Sequence, residues 1–369
     1  MEGENFERYE RQLVLKGFGP DAQHKLVEAK VLVIGAGGLG CPALQYLVAA
    51  GVGTIGIVDH DTISLNNLHR QILYRTDEIG KLKSEVAATK LKALNPEIII
   101  QAYPFKVVKN NILELLAKYD IILDCTDNFA SRYLINDACV LLKKPLVFAA
   151  VSGYEGQIAV FNVPDQDGLS TNYRDLFPIP PAAGEIPNCA ESGVLGVLPG
   201  IIGTMQAAEA IKLIAGLRGA LINKLLNYNL LNQDFYQVTI PIPEGNTYAR
   251  PTKDDFIESQ EILEEIEGSK LDALIKNHDA LVLDVREYDE LPKLKGSHYH
   301  QIPMSVLNED FLSSIVNRHI ILVCQHGIRS LHAAETYQDL LGVEKRFYSL
   351  KGGVVRWKSE LSDLGLLSS

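Results

Sequence analysis

Residues 30–71 read KVLVIGAGGLGCPALQYLVAAGVGTIGIVDHDTISLNNLHRQ, and the reading of this stretch decides the fold. Val31–Ile34 is an apolar run of the length of one buried strand in a parallel sheet. Gly35, Gly37 and Gly40 follow with the spacing G-x-G-x-x-G. Such glycines let the chain turn tightly and let a phosphate approach backbone N–H groups at a helix N-terminus. Residues 41–50 are expected to form that helix and Thr54–Val58 the next strand. The strand ends on Asp59, a carboxylate placed to hold ribose hydroxyls. A nucleotide site is therefore expected, but nicotinamide and flavin sites share these glycines. The residues after Asp59 choose between ligands.

The segment 59–71 is dense in groups that hydrogen-bond a polyphosphate: Asn66, Asn67, His69, Arg70 and Gln71. Lys81 and Lys83 open a helix expected over 81–94, which Asn95-Pro96 stops. Further strands are expected at Ile98–Ala102 and Ile121–Leu123, with a short helix at Ile112–Ala117 between them. The last strand runs into DCTDN, 124–128, which puts Asp127 and Asn128 on the strand-end rim that also carries the glycine loop. A helix over 129–142 and strands at 145–151 and 153–163 follow. Residues 164–193 are proline-rich with few periodic apolar positions, as in a long mobile crossing loop that ends near Cys189. A helix from about Ile202 to Ala215 and two β segments in 227–240 close the domain. The fold class is thus α/β, a Rossmann-like, mostly parallel sheet followed by a smaller α/β domain. The expected boundaries are 1–243 for the first domain, 244–258 for a linker and 259–369 for the second.

Length and composition agree with that organisation. A chain of 369 residues with 47% hydrophobic residues suits about two domains with substantial cores. A net charge of −11 argues against general nucleic-acid or anionic-membrane binding. The N-terminal MEGENFERYERQ lacks the apolar centre of a signal peptide, and a cytoplasmic location is expected. The apolar region 193–217 is broken by Pro199, Glu209 and Lys212, which favours a buried helix over a membrane span. Five cysteines, Cys41, Cys125, Cys139, Cys189 and Cys324, are scattered without a C-x-x-C pair. That spacing fits neither a zinc ribbon nor a disulfide framework.

The chemistry follows from the residue types. Asp59 would hold ribose, and Gly38 and its neighbours would admit the nucleotide. Arg70 and Lys83, with Asn67, form the cationic clamp that a triphosphate needs and a redox dinucleotide does not. Asp127 is an acid available to Mg²⁺, a hard cation that prefers oxygen ligands. Such a site supports attack of a carboxylate on the α-phosphate of ATP, giving an acyl-adenylate as pyrophosphate leaves.

These motifs resemble the MoeB/ThiF family of adenylating enzymes, relatives of the ubiquitin-activating enzymes. The resemblance spans roughly 5–240 and rests on RYERQ (8–12), GAGGLGCP (35–42), DHD (59–61), NNLHRQ (66–71), GKLKSE (80–85), DCTDN (124–128) and CAESGVLG (189–196). It implies an ATP site of Gly38, Asp59, Asn66, Asn67, Leu68, His69, Arg70, Lys83, Asp127 and Asn128. It also implies a homodimer in which Arg11 reaches the partner's phosphates, although RYERQ by itself looks like a solvated helix face. The implied substrate is the C-terminal Gly-Gly of a small ubiquitin-like sulfur carrier, with Cys189 as the cysteine that links covalently to it.

Residues 260–369 resemble a rhodanese through LDVRE (283–287), CQHGIRS (324–330) and LKGGVVRW (350–357). Cys324 ends a strand, and Gln325, His326, Gly327, Ile328 and Arg329 form a tight loop into a helix starting near Ser330. Backbone N–H groups, the helix dipole and Arg329 are expected to favour a thiolate or persulfide there. A persulfide donor such as a cysteine desulfurase is the implied sulfur source, and molybdopterin, thiamin or a related pathway the implied destination. One departure stands out. The adenylating family commonly holds zinc with two C-x-x-C pairs, whereas this chain has TNYRD, with Asn172 and Asp175, and no later pair. Zinc is expected to be absent and the crossing loop more mobile. The reading is a fused adenylyltransferase and sulfurtransferase. Its rivals are a nicotinamide-dependent oxidoreductase and a carrier-binding scaffold with an inactive rhodanese domain.

Overall fold

The computed structural model describes residues 6–181, 193–241, 250–256, 264–278, 280–296, 298–341 and 345–363. The chain divides into two compact units, Met1–Ile257 and Glu258–Ser369. The first is built on β1 (Lys30–Ile34), β2 (Thr54–Val58), β3 (Ile99–Tyr103), β4 (Ile121–Asp124), β5 (Leu146–Ser152), β6 (Glu155–Phe161), β7 (Lys224–Asn229) and β8 (Asp234–Thr239). Their order in the sheet is β3-β2-β1-β4-β5-β6-β7-β8. The first five strands pair in parallel and the last three join antiparallel. The order reverses between β1 and β4, so the loops leaving those neighbours diverge and open a crevice at their carboxyl ends.

Apolar residues cover both faces of this sheet. Helices α1 (Gly19–Glu28), α2 (Gly40–Ala50) and α3 (Lys83–Leu94) pack with the long helix Val197–Ala215 on one face, where Leu26, Leu44, Leu91 and Ile202 meet Val31, Val33 and Ile55. Helices α4 (Lys109–Ala117) and α5 (Phe129–Leu142) cover the other, where Ile112 and Ile135 meet Leu32, Ile122 and Phe148. Burial of each such side chain contributes about 1.5–3 kcal/mol.

Two features of the lead-in and the long helix differ from expectation. The RYERQ segment is only partly a solvated face: Arg8, Glu10 and Arg11 are exposed, but Tyr9 is buried and its hydroxyl accepts a 2.8 Å bond from Asn95 Nδ2, while Gln12 donates to the Ala50 carbonyl at 2.8 Å. The long helix α6 begins at Val197 rather than near Ile202. Pro199 lies in its first turn, where its missing N–H would have no intrahelical partner anyway. Among the described residues α6 is the one helix long and apolar enough to cross a membrane. Its inward residues Leu198, Ile202, Ala207 and Ala210 belong to the core of the sheet, and buried Glu209 accepts Leu221 N–H at 2.8 Å and pairs with Lys212.

The start of the crossing loop is anchored rather than loose. Tyr133, Asn136 and Asp137 lie at i, i+3 and i+4 on α5, one face of the helix. Tyr133 Oη donates to the carbonyls of Phe177 and Ile179 at 2.9 and 3.1 Å. Asn136 Oδ1 accepts Tyr173 N–H at 2.9 Å. Asp137 takes the Arg174 fork at 2.8 and 2.7 Å. Tyr173 itself is buried among Tyr133, Phe148 and Phe161. The turn Tyr173–Leu176 is closed by a reciprocal cap in which Asn172 Oδ1 accepts Arg174 N–H at 2.9 Å and Asp175 Oδ2 accepts Asn172 N–H at 2.8 Å. Asn172→Ala should therefore lower the stability of the first unit by about 1–2 kcal/mol, measured as a shift in its urea midpoint.

The second unit holds β9 (Glu264–Ile266), β10 (Leu281–Asp284), β11 (Tyr299–Gln301), β12 (His319–Val323) and β13 (Arg346–Leu350). They form an all-parallel sheet in the order β11-β10-β12-β13-β9. Helices α7 (Gly268–His278) and α8 (Glu309–Ser314) precede α9 (Ile328–Leu341), which starts two residues before the expected Ser330. The strand β10 stops at Asp284, and Arg286 beyond it is fully buried against Asp284.

Candidate functional site

In the first unit the site forms where β1 and β4 part. Gly35 has φ 98°, and a Cβ there would lie 2.7 Å from the Cys125 carbonyl oxygen. A Cβ on Gly40 would sit 1.9 Å from the Gly35 carbonyl oxygen. The loop after β1 thus turns directly against the chain leaving β4, and only glycine fits both places. Gly38 lies against Pro199 at the start of α6 and beside the Arg70 side chain. The first turns of α2 and α6 and residues 66–70 therefore meet around one loop.

The acids and cations are arranged around that loop. Asp59 Oδ2 accepts Ala36 N–H at 2.8 Å and Oδ1 accepts Asp61 N–H at 2.8 Å. Burial raises the Asp59 carboxyl above its ordinary value, with Lys83 pulling it back. Lys83 is buried and its Nζ bonds Asp61 Oδ2 at 2.9 Å. Arg70 Nη1 donates to the Asn66 carbonyl at 3.1 Å and contacts His69 Nε2 at 2.7 Å. Asn67 Nδ2 bonds Asn66 Oδ1 at 3.1 Å, and Leu68 packs against the core beneath. Gln71 is buried with its Oε1 unpaired, and its Nε2 would be 3.6 Å from a Cβ on Gly37.

Asp127 and Asn128 follow β4 on the same rim. Asn128 caps α5 by accepting Ser131 N–H at 2.9 Å. Asp127 is exposed, and its carboxylate has no hydrogen bond or ion pair among the described residues. A free carboxylate at a strand end suits a hard cation such as Mg²⁺. Arg11 is exposed on the lead-in helix beside Val14 and Leu15, which are 80% and 58% exposed. Cys189 lies outside the described residues. Cys41, Cys125 and Cys139 are buried, and burial pushes their thiols up, that of Cys41 to about 12. They suit packing, not nucleophilic work.

Sequence reasoning passed over two residues here. Tyr74 Oη lies 2.8 Å from the Ala36 carbonyl and 3.2 Å from the Lys83 carbonyl, tying the glycine loop to the helix that carries Lys83. Arg132 is buried under the rim, its Nη2 bonded to the Thr126 carbonyl at 3.2 Å and its Nε without a partner. Its i+4 spacing from Asn128 was the available signal.

In the second unit Cys324 follows β12 and is 1% exposed. Its Sγ accepts Gly327 N–H at 3.1 Å and lies 3.4 Å from the Ser330 hydroxyl, which is also 3.1 Å from the Gly327 carbonyl and 3.0 Å from Ser349 Oγ. Gly353 packs so closely that a Cβ would be 2.4 Å from the Cys324 carbonyl oxygen, while Val354 N–H donates to that oxygen at 2.9 Å. Gln325 accepts a 2.9 Å bond from Arg286, and His326 is exposed. The loop is a small cradle of N–H and O–H donors around one sulfur. Arg329, expected to serve the same sulfur, bonds Glu290 through a paired fork at 2.7 and 2.6 Å, with Cys324 also within its electrostatic reach. Sequence neighbours alone could not show this, because the carboxylate comes from a separate turn.

Residues 9–248 match the model of the ThiF family, and residues 267–360 match that of the rhodanese-like domain. The chain belongs to the ThiF family. Among relatives of this ThiF-family chain, the sulfur carrier protein adenylyltransferase of Thermus thermophilus is 49% identical over 238 residues, covering 64% of this chain and 88% of that protein. The probable adenylyltransferase/sulfurtransferase MoeZ of Mycobacterium tuberculosis is 38% identical over 382 residues, 97% of this chain and 94% of its own length. The adenylyltransferase and sulfurtransferase MOCS3 of Xenopus laevis is 34% identical over 396 residues, 97% and 87% of the two chains. A crystal structure of E. coli MccB with MccA-N7isoASN superposes with a TM-score of 0.57 at 22% identity, over 65% of this chain and 73% of that one. It shares the fold of the ThiF unit. The relatives that span the whole chain carry both of its units, so the Rossmann-like ThiF unit and the rhodanese-like unit occur together as one protein.

Proposed function

We propose that this ThiF-family chain is an adenylyltransferase and sulfurtransferase acting on the C-terminal Gly-Gly carboxylate of a small ubiquitin-like sulfur carrier. The observation that carries the adenylating half is the rim at the β1–β4 divergence, where Gly38, Arg70 and Lys83 share one strand-end edge with the unpaired Asp127. Backbone N–H groups at the glycine loop receive phosphate, Asp59 holds ribose, and Arg70 and Lys83 take charge that develops on the phosphates. Asn66 to His69 shape the phosphate side, and Asn128 fixes the helix end beside Asp127. Mg²⁺, bound through Asp127, would neutralise phosphate charge. A carrier carboxylate oxygen bonds to the α-phosphorus, the bond to the bridging oxygen breaks, and pyrophosphate leaves with the electron pair.

Sulfur enters from a persulfide on Cys324. Its outer sulfur bonds to the acyl carbon, the bond to AMP breaks, and AMP leaves with the electron pair. A thiol then opens the acyl disulfide, is itself oxidised to a disulfide with Cys324, and releases the carrier as a thiocarboxylate. On the route through Cys189, its thiolate bonds to the acyl carbon as AMP leaves, and the outer sulfur of the Cys324 persulfide then displaces Cys189 as a thiolate. The persulfide comes from a donor such as a cysteine desulfurase, and the product serves molybdopterin, thiamin or a related sulfur pathway in the cytoplasm. A homodimer fits the exposed Arg11 beside Val14 and Leu15, which would reach the second copy's phosphates. Tethering the two units raises the effective concentration of sulfur donor near a short-lived adenylate.

The residues at the position where the family's zinc would sit do not fit that metal. Asn172 and Asp175 spend their side chains on the cap of their own turn, and zinc prefers sulfur and nitrogen ligands. Exhaustive dialysis against a chelator should leave the melting temperature unchanged; a fall of several degrees would show that a structural metal is present. The adenylating reading is tested by carrier-dependent exchange of labelled pyrophosphate into ATP. No exchange with any ubiquitin-like carrier bearing a Gly-Gly terminus would overturn it.

A further inference from the structure

The Arg329–Glu290 pair lies beside the sulfur site and has no part in the transfer just described. Glu290 Oε1 takes Arg329 Nη1 at 2.7 Å together with Glu287 N–H at 2.9 Å, and Oε2 takes Arg329 Nη2 at 2.6 Å. The Nη1–Nη2 edge of the guanidinium, one of its two edges able to grip a pair of oxyanion oxygens, is thereby filled from within the chain. The other guanidinium at the loop, Arg286, is spent on Asp284 at 2.8 Å, Gln325 at 2.9 Å and the Pro292 carbonyl at 2.8 Å. Glu287 and Asp289, in the same turn as Glu290, are exposed and add negative charge. The hydrogen bonds from Arg329 hold the Glu290 carboxyl down to about 2, against burial, which acts to raise it. The pair's contribution to stability is therefore full above the ordinary glutamate value and is lost only as pH falls towards about 2.

We propose that Glu290 is a specificity-determining residue of the Cys324 site. By filling Arg329 it disfavours small dianionic sulfur donors such as thiosulfate and leaves the site to persulfide donors. The inference rests on Cys324 as the sulfur-bearing residue. With thiosulfate, the Cys324 thiolate bonds to the outer sulfur, the sulfur–sulfur bond breaks and sulfite leaves with the electron pair. The donor is a dianion throughout and meets the Glu290 carboxylate. With a persulfide the same bond forms, a thiolate leaves, and the donor group brings one negative charge and no sulfonate. One carboxylate charge repels a dianion twice as strongly as a monoanion at the same distance, so a roughly tenfold penalty on thiosulfate corresponds to roughly threefold on a persulfide.

The test uses the full chain and follows addition of one sulfur atom by intact mass, with thiosulfate or cysteine persulfide as donor. Glu290→Gln should raise the second-order rate with thiosulfate about tenfold and the rate with cysteine persulfide, a monoanion, only about threefold. The gain should shrink in high salt. Glu290→Asp, which keeps the charge, should retain the wild-type preference. Equal changes with both donors, or an aspartate variant that behaves like the glutamine one, would overturn the proposal and leave Glu290 a scaffold residue. Sulfur addition that persists in Cys324→Ala would instead remove the sulfur-carrying reading itself.

Discussion

Asp127→Ala should lower carrier-dependent ATP–pyrophosphate exchange by about 10²–10³-fold, the cost of deleting one group that stabilises charge in a preorganised site. The direction follows from what Asp127 does not do. It is exposed and holds no partner among the described residues, so removing it breaks nothing in the fold. Thermal stability should stay within the small range of ordinary surface changes, about 0.5 kcal/mol. The loss should appear in the maximal rate and grow at low Mg²⁺ in the milder variant Asp127→Asn. Full exchange activity in Asp127→Ala would contradict the role assigned to this carboxylate. Lys83 would not make so clean a test, because it is buried against Asp61 and its removal leaves an acid without its cation.

Cys324→Ala should abolish thiocarboxylate formation while leaving pyrophosphate exchange unchanged. The two halves of the chemistry lie in two compact units, and the cradle of Gly327 N–H and Ser330 O–H has no purpose without a sulfur atom to receive it. The side chain is 1% exposed and small, so alanine leaves only a minor void, and the second unit should stay folded. Carrier should then accumulate as adenylate or hydrolyse back to carboxylate. Unchanged thiocarboxylate yield would end the relay account and leave adenylation standing.

The parts of the fold legible in the sequence were those governed by local physics. The run Val31–Ile34, the glycine spacing and Asp59 each have one cheap conformational solution, and β1, the loop and β2 follow. Asp127 was legible as a strand-end acid for the same reason. What escaped was set by distant partners. The Glu290 carboxylate that takes the Arg329 fork comes from 39 residues away. The stretch TNYRD reads as mobile loop until α5 presents Asn136 and Asp137 to grip it. The start of α6 was missed because a proline in a first helical turn looks, in sequence, like the end of a turn.

One measurement bears most directly on the central claim that ATP activation and Cys324 sulfur meet on one carrier. The full chain would be loaded with isotopically labelled persulfide, freed of donor, and mixed with a ubiquitin-like carrier ending in Gly-Gly, ATP, Mg²⁺ and a thiol. Intact mass should show labelled sulfur replacing one carboxyl oxygen of the carrier, in amounts limited by the label on Cys324 and only when ATP is present. Labelled thiocarboxylate formed without ATP, or unlabelled carrier after ATP consumption with the persulfide intact, would contradict the account.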